Sequence, residues 1–266
     1  MKITSFNDNL INGVIDIARQ AGAAILDVYH TDFDISIKDD KSPLTEADIR
    51  ANAIIIEGLE KIIPDVPVLS EEGQDVPFKE RSNWNTYWLV DPLDGTKEFI
   101  KKNDEFTVNI AFLEKNQPVF GVVYAPALNQ LYWGSSENGS FKSNNGDKFR
   151  HISVNSKVTN PVQIAVSRSH LSLQLNSFIS QFDEYDLHPM GSSLKICCVS
   201  DGTVHFYPRL GPTMEWDTAA SHAIIRASGG ELINVGTNKP LEYNKEDLLN
   251  PKFIAGNIKN IQSLKR

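Results

Sequence analysis

Two carboxylates, Asp91 and Asp94, flank Pro92 and Leu93 in the segment Asp91-Pro92-Leu93-Asp94-Gly95-Thr96. Read as a turn, this segment can direct both carboxylates and the carbonyls between them into one pocket. A donor set made of hard oxygens suits magnesium, which keeps several waters, bridges to substrate phosphate and needs few protein carboxylates. Gly95 and Thr96 add free backbone N–H groups for a phosphate, above all where a helix begins at that point. On its own an Asp-x-x-Asp is more often a solvated loop, because Asp-Pro and Asp-Gly are common turn sequences. Three further acids shift that balance: Asp48 at the start of a helix, Glu71 at a strand end, and Asp217 opening an apolar helix from Thr218 to Ala227.

The elements that must position these acids follow from periodicity. Leu10, Val14, Ile17, Ala21, Ile25 and Val28 recur at steps of three or four and predict a long amphipathic helix from Asn9 to His30. A short strand from Ile35 to Lys38 leads through a polar turn to Thr45, which can cap a second helix running to about Ile63 before Pro64 ends it. Pro67 to Ser70 reads as a strand entering Glu71, and Tyr87 to Val90 as a buried strand entering Asp91. Between Phe106 and His151, alternating stretches separated by Asn/Gly/Ser turns predict antiparallel sheet. After about Asn155 strands alternate with helices, with candidate strands at Ile164 to Val166, Leu187 to Met190, Val204 to Tyr207, Glu231 to Val235 and Phe253 to Ala255. The pattern change predicts two halves, 1–155 and 156–266, packed as one rigid unit without internal repeats or a flexible linker.

Composition narrows the function classes. The 266 residues include 26 Lys and Arg against 34 Asp and Glu, a net charge of −8 that argues against a nucleic-acid binder. An anionic small molecule would have to be met by local cations or metals. Cys197 and Cys198 are adjacent and unsuited to a mutual structural disulfide, so reduced thiols in a cytoplasmic protein are expected. The amino terminus lacks a basic start followed by an apolar run, and no stretch approaches the length of a membrane span, so neither secretion nor insertion is expected. His30, His151, His188, His205 and His222 show no zinc-ligand spacing, and Trp84, Trp88, Trp133 and Trp216 read as packing residues.

Four stations taken together, Pro43-Leu44-Thr45-Glu46-Ala47-Asp48, Ser70-Glu71-Glu72-Gly73, Asp91 to Thr96 and Trp216-Asp217-Thr218-Ala219-Ala220, resemble the inositol monophosphatase superfamily in content and order. The likeness covers nearly the whole chain. It implies a layered αβαβα sandwich, an α/β (α+β) fold with an antiparallel amino-terminal sheet, a mixed carboxyl-terminal α/β half and the site between them. Carried over by position, Glu71, Asp91 and the Leu93 carbonyl resemble ligands of one magnesium, and Asp91, Asp94 and Asp217 those of a second. The resemblance leaves room for a third, weaker Mg2+ near Asp48 and Glu71. Thr96 and Asp48 resemble the water-activating pair, with Glu71 as an alternative for orienting the nucleophile.

Within the superfamily, Lys97-Glu98-Phe99 stands where inositol monophosphatases commonly show Thr-Asn-Phe, and resembles the bisphosphate-nucleotidase branch. Gly191-Ser192-Ser193-Leu194-Lys195 and the run from Tyr207 to Asp217 strengthen that likeness. The implied reaction is hydrolysis of 3'-phosphoadenosine 5'-phosphate to AMP in sulfate assimilation. Ser192, Lys195 and Arg209 would supply a hydroxyl, a point charge and a bidentate fork to the uncleaved phosphate, and His170 would lie beside the ribose or base. Glu71, Leu93, Asp94, Gly95, Thr96 and Asp217 would face the phosphate that is cleaved. An inositol or other sugar-phosphate phosphatase of the same fold is the nearest alternative, and a non-catalytic nucleotide sensor an alternative of another class. The resemblance also leaves open peripheral contact with the cytoplasmic face of the inner membrane, and it does not give an oligomeric state.

Overall fold

The structure is a computed structural model that describes residues 6–31, 35–37, 43–168 and 173–264. Helix α1 (Asp8–Tyr29) is capped by Asn7, whose side chain accepts from the Leu10 N–H at 3.0 Å, and it buries Ile11, Val14, Ala18, Ala21, Ile25 and Val28 on one face. Strands β1 (Ile35–Ile37) and β2 (Pro43–Thr45) form an antiparallel pair that enters α2 (Glu46–Ile62). Lys38, expected to end the first strand, and residues 39–42 of the polar turn expected from Asp39 to Pro43 lie outside the described residues, while Pro43 belongs to β2, paired with Ile37. Then follow β3 (Val68–Ser70), α3 (Phe78–Arg81), β4 (Thr86–Asp94), α4 (Thr96–Ile100) and the strands β5 (Thr107–Glu114), β6 (Gln117–Ala125), β7 (Gln130–Ser135), β8 (Gly139–Asn144) and β9 (Arg150–His151). The remainder comprises β10 (Val162–Ser167), α5 (Leu173–Ile179), β11 (Tyr185–Met190), α6 (Leu194–Ser200), β12 (Phe206–Arg209), α7 (Glu215–Ala227), β13 (Gly230–Asn234), β14 (Phe253–Asn257) and α8 (Ile258–Gln262).

Strands β3 to β9 form a seven-stranded sheet in sequence order, antiparallel except for the parallel pair β3–β4. The second sheet has five strands in the order β11-β10-β12-β14-β13, parallel on one side and antiparallel on the other. Side-chain alternation turns this into five layers. Trp88, Val90, Ile110, Phe112 and Phe120 face α1 and α2, while Tyr87, Leu89, Leu113, Val123 and Tyr132 face a core shared with α6, α7 and the second sheet. The far side of that second sheet, with Ile164, Val166, Phe206 and Ile233, packs on α5 and α8. An αβαβα sandwich results, as expected.

The buried middle layer explains two features of composition. Every residue of α6 from Leu194 to Ser200 is buried, so Cys197 and Cys198 are packed free thiols. Gly121 on β6 meets α7 backbone to backbone, and a Cβ there would lie 2.2 Å from the Ala220 carbonyl oxygen. Among the described residues no helix is long and apolar enough to cross a membrane.

Three expectations need correction. Asp91 to Asp94 is the end of β4 rather than a turn, because the ladder to β5 continues through Asp94↔Thr107. Helix α7 starts at Glu215, so Asp217 is its third residue and does not open it. The strand expected at Val204 to Tyr207 lies at Phe206–Arg209, which places Arg209 within it.

Candidate metal centre and substrate cleft

Parallel pairing sets Leu69 opposite Leu89 and Ser70 opposite Val90, so Glu71 emerges beside Asp91, and its N–H donates to the Val90 carbonyl at 3.1 Å. On the other side β4 pairs with β5 as Asp91↔Asn109 and Asp94↔Thr107, with a bulge between. Three steps along β4 thus oppose two along β5. The extra residue resets the alternation, so Asp94 returns to the side of Asp91. Asp91 Oδ1 accepts from the Leu93 N–H at 3.1 Å, which fixes the bulged backbone. Gly95 then takes the left-handed region at φ 93°, and α4 begins at Thr96, whose Oγ1 donates to the Leu93 carbonyl at 3.4 Å.

Two helices complete the set. Asp48 is buried in the first turn of α2. Asp217, in the first turn of α7, accepts from the Met214 N–H at 3.0 Å and so caps its own helix from the third position. One carboxylate oxygen each from Glu71, Asp91 and Asp217 lie within 4.8 Å of one another. Burial, reinforced by the charges of Glu71, Asp94, Asp217 and Asp48 in that order, pushes the Asp91 carboxyl well above the usual carboxylate range. Burial and then Asp94 do the same to Asp217, against the pull of the Met214 N–H and of Arg209. Five acids packed so closely repel unless cations lie between them. The donors are all oxygens, so the residues fit magnesium or a similar hard cation.

Beside the acids opens a cavity of about 470 Å³, lined among others by Asp94, Gly95, Lys97, Lys195, Arg209 and Asp217. Its cations differ in how far they are committed. The buried Lys195 donates to the carbonyls of Met190, at 3.2 Å, and Ser192. Arg209 spends Nη1 on Ser167 Oγ at 3.0 Å and Nη2 on the Pro212 carbonyl, while its buried Nε finds no hydrogen-bond partner among the described residues. Arg168 pairs with Glu105, whose carboxylate also accepts the Gly191 N–H at 2.7 Å. Lys97 is exposed, and its ammonium has no partner among the described residues.

The structure therefore gathers Asp48, Glu71, Asp91, Asp94 and Asp217 into one cluster, of which Asp94 and Asp217 line the cavity, with Leu93 in the bulge and Thr96 opening α4 beside it. Ser192 Oγ donates to Asp94 Oδ2 at 2.7 Å, tying the second half of the chain to the first. His170 lies outside the described residues. Sequence reasoning missed Thr107 and Asn109, fully buried polar residues behind the acids. Their signal was present as two polar side chains at alternate positions in the apolar strand Phe106-Thr107-Val108-Asn109-Ile110.

The model of the inositol monophosphatase family matches residues 7–265. The chain belongs to that family. A relative in Escherichia coli K12, the 3'(2'),5'-bisphosphate nucleotidase CysQ, is 45% identical over 248 residues, covering 92% of this chain and 98% of the relative. The protein of the same description in Salmonella typhimurium LT2 is 46% identical over 248 residues with the same coverage. Among solved structures of the family, CysQ from Bacteroides thetaiotaomicron superposes with a TM-score of 0.84 at 39% identity, covering 95% of this chain and 98% of that one.

Proposed function

We infer that this protein is a metal-dependent 3'(2'),5'-bisphosphate nucleotidase, a phosphoric monoester hydrolase acting on 3'-phosphoadenosine 5'-phosphate to give AMP and phosphate. The observation that carries this reading is the cluster of Glu71, Asp91, Asp94 and Asp217 opening onto a cleft that also holds Lys97, Lys195 and Arg209. Acids alone would serve any phosphatase of the family. The added cations suit a substrate with a second phosphate, and they lie in a chain 45% identical to a bisphosphate nucleotidase along 92% of its length.

The cofactor of this reading is magnesium. One ion would be held by Glu71, Asp91 and the Leu93 carbonyl, a second by Asp91, Asp94 and Asp217, and a third, weaker one near Asp48 and Glu71. When bound, such ions neutralise the phosphoryl oxygens, acidify the attacking water and stabilise the leaving oxygen of an in-line displacement. The protein's own part is positional and electrostatic. Thr96 Oγ1, held to the Leu93 carbonyl only at 3.4 Å, can re-pair with the attacking water and pass its proton toward Asp48. Glu71 orients that water from the other strand.

The uncleaved phosphate falls to the cations. Arg209 has five N–H donors, of which two are committed to Ser167 and Pro212 and one, on Nε, is buried, so the second hydrogens of Nη1 and Nη2 are left to meet phosphate oxygens. Lys195 has three, with two committed to carbonyls, and acts as an anchored point charge with one donor left. Ser192 spends its proton on Asp94, so its contact with a phosphate requires that bond to exchange. His170 is proposed beside the ribose or base. The halves 1–155 and 156–266 divide the work, with four of the five acids on the first and Asp217 and most of the phosphate-binding side chains on the second. Free buried thiols at Cys197 and Cys198 support a cytoplasmic location.

Phosphate release from a panel of esters with magnesium tests the reading. Turnover of 3'-phosphoadenosine 5'-phosphate ahead of inositol 1-phosphate and fructose 1,6-bisphosphate is expected. Faster turnover of either sugar phosphate would replace it with a sister phosphatase. Tight nucleotide binding without turnover under any divalent ion would make the protein a sensor.

A further inference from the structure

Behind Asp94 lies a row of hydroxyls buried beneath the cleft. Thr107 and Asn109 sit on β5 directly opposite Asp94 and Asp91, and both are fully buried. Thr107 Oγ1 contacts Ser192 Oγ, and it lies 2.9 Å from Ser193 Oγ and 3.1 Å from Asn109 Oδ1. Ser193 Oγ in turn donates to Asn109 Oδ1 at 2.8 Å, and Ser192 Oγ to Asp94 Oδ2 at 2.7 Å.

Each hydroxyl owns one proton, and that limits the directions the row can take. Ser192 gives its proton to Asp94, a carboxylate that can only accept. Ser193 gives its own to Asn109. The Ser192–Thr107 contact can then be bridged only by the proton of Thr107, for which Asn109 Oδ1 competes at 3.1 Å; given to Ser192, that proton completes a row from Thr107 through Ser192 to Asp94. Donors chained in this way polarise one another toward the terminal charge. Ser192 also holds a left-handed backbone, φ 52°, which a serine adopts only where its surroundings impose it.

We propose that Thr107 is a positioning residue for the metal centre, holding the Asp94 carboxylate in its ligating orientation through Ser192. The acid sits past a bulge at a strand end, where its own backbone leaves its side chain weakly determined. The hydroxyl row fixes it from below and couples that orientation to the loop after β11, in the other half of the chain. Thr107 touches neither substrate nor ion. Its effect is on how strongly the acids hold a cation, and outer partners of ligating carboxylates are worth roughly 10- to 100-fold in metal affinity.

This inference rests on the metal-centre reading, and one experiment separates the two. Mg2+ is titrated calorimetrically into metal-free protein without nucleotide, comparing wild type, Thr107→Val and Thr107→Ser. Thr107→Val, nearly isosteric but without the donor, is expected to weaken Mg2+ binding about tenfold, with Thr107→Ser returning most of it. At saturating Mg2+ the kcat of Thr107→Val should recover while the KM for 3'-phosphoadenosine 5'-phosphate stays near that of wild type. Wild-type Mg2+ affinity in Thr107→Val overturns the proposal and leaves the metal-centre reading standing. A wild-type protein that binds no Mg2+ overturns both. If Thr107→Val fails to fold, Thr107→Ala under the same titration decides, since it removes the hydroxyl without adding bulk.

Discussion

Asp94 is repelled by its neighbours and yet held against them. Its charge raises the pKa of both Asp91 and Asp217, while Ser192 fixes one of its oxygens. Replacing it by asparagine keeps the shape and removes a charge from the crowded cluster. Asp94→Asn should therefore lower kcat at least about 100-fold, the scale on which loss of one aimed electrostatic group is felt. The thermal midpoint of the metal-free protein should hold or rise, because a repulsion is relieved. An unchanged rate would show that Asp94 is not a metal ligand. The acids themselves could be found in the sequence because carboxylates at strand and helix ends stand out against apolar runs. For Thr107 only the polar alternation with Asn109 was legible, and its partner was not, because Ser192 lies 85 positions away.

At the scale of elements, the centre depends on two junctions. The bulge in β4 brings Asp94 back beside Asp91, and the close approach of β6 to α7 sets the height of Asp217 above the sheet. Gly121 makes that approach possible. Gly121→Ala puts a methyl against a backbone carbonyl that no rotamer change can move, and overpacking of this kind costs about 1–3 kcal/mol. A lowered denaturant midpoint together with weaker Mg2+ binding is expected; full stability with normal Mg2+ affinity would show that α7 is free to shift without consequence. Helix periodicity and strand alternation made most elements legible. The bulge was not, since one inserted residue leaves composition and pattern intact and shows only in pairing with Thr107 and Asn109. The start of α7 was misplaced for a related reason. An acid three residues into a helix caps it as an acid before the helix would, and only the bond from the Met214 N–H to Asp217 tells the two apart.

Across the whole molecule the acids link stability to pH and to cations. Asp91 and Asp217 have folded-state pKa values raised above the ordinary carboxylate range. Between the ordinary value and the raised one, the folded chain holds more protons than the unfolded chain, so metal-free stability falls as pH rises through that window. Cations bind the deprotonated carboxylates and counter the loss. The melting temperature of metal-free protein should fall as pH rises above the ordinary carboxylate range, and the increment from added Mg2+ should grow in the same direction. An increment independent of pH would mean that these carboxyls do not bind the ion. The five-layer architecture was legible through the family resemblance, with which the change of pattern near Asn155 agrees, whereas the cleft was not, because it is formed by β4 and α4 meeting β11, β12 and α7 from far along the chain.

The central claim is that this cleft removes one phosphate from a nucleotide while holding the other. Its most direct test is chromatographic identification of the products of 3'-phosphoadenosine 5'-phosphate, with Mg2+ and after chelation. AMP and inorganic phosphate in equal amounts, formed only with the cation, are predicted. Adenosine 3'-phosphate as the product, or the same rate after chelation, would contradict it.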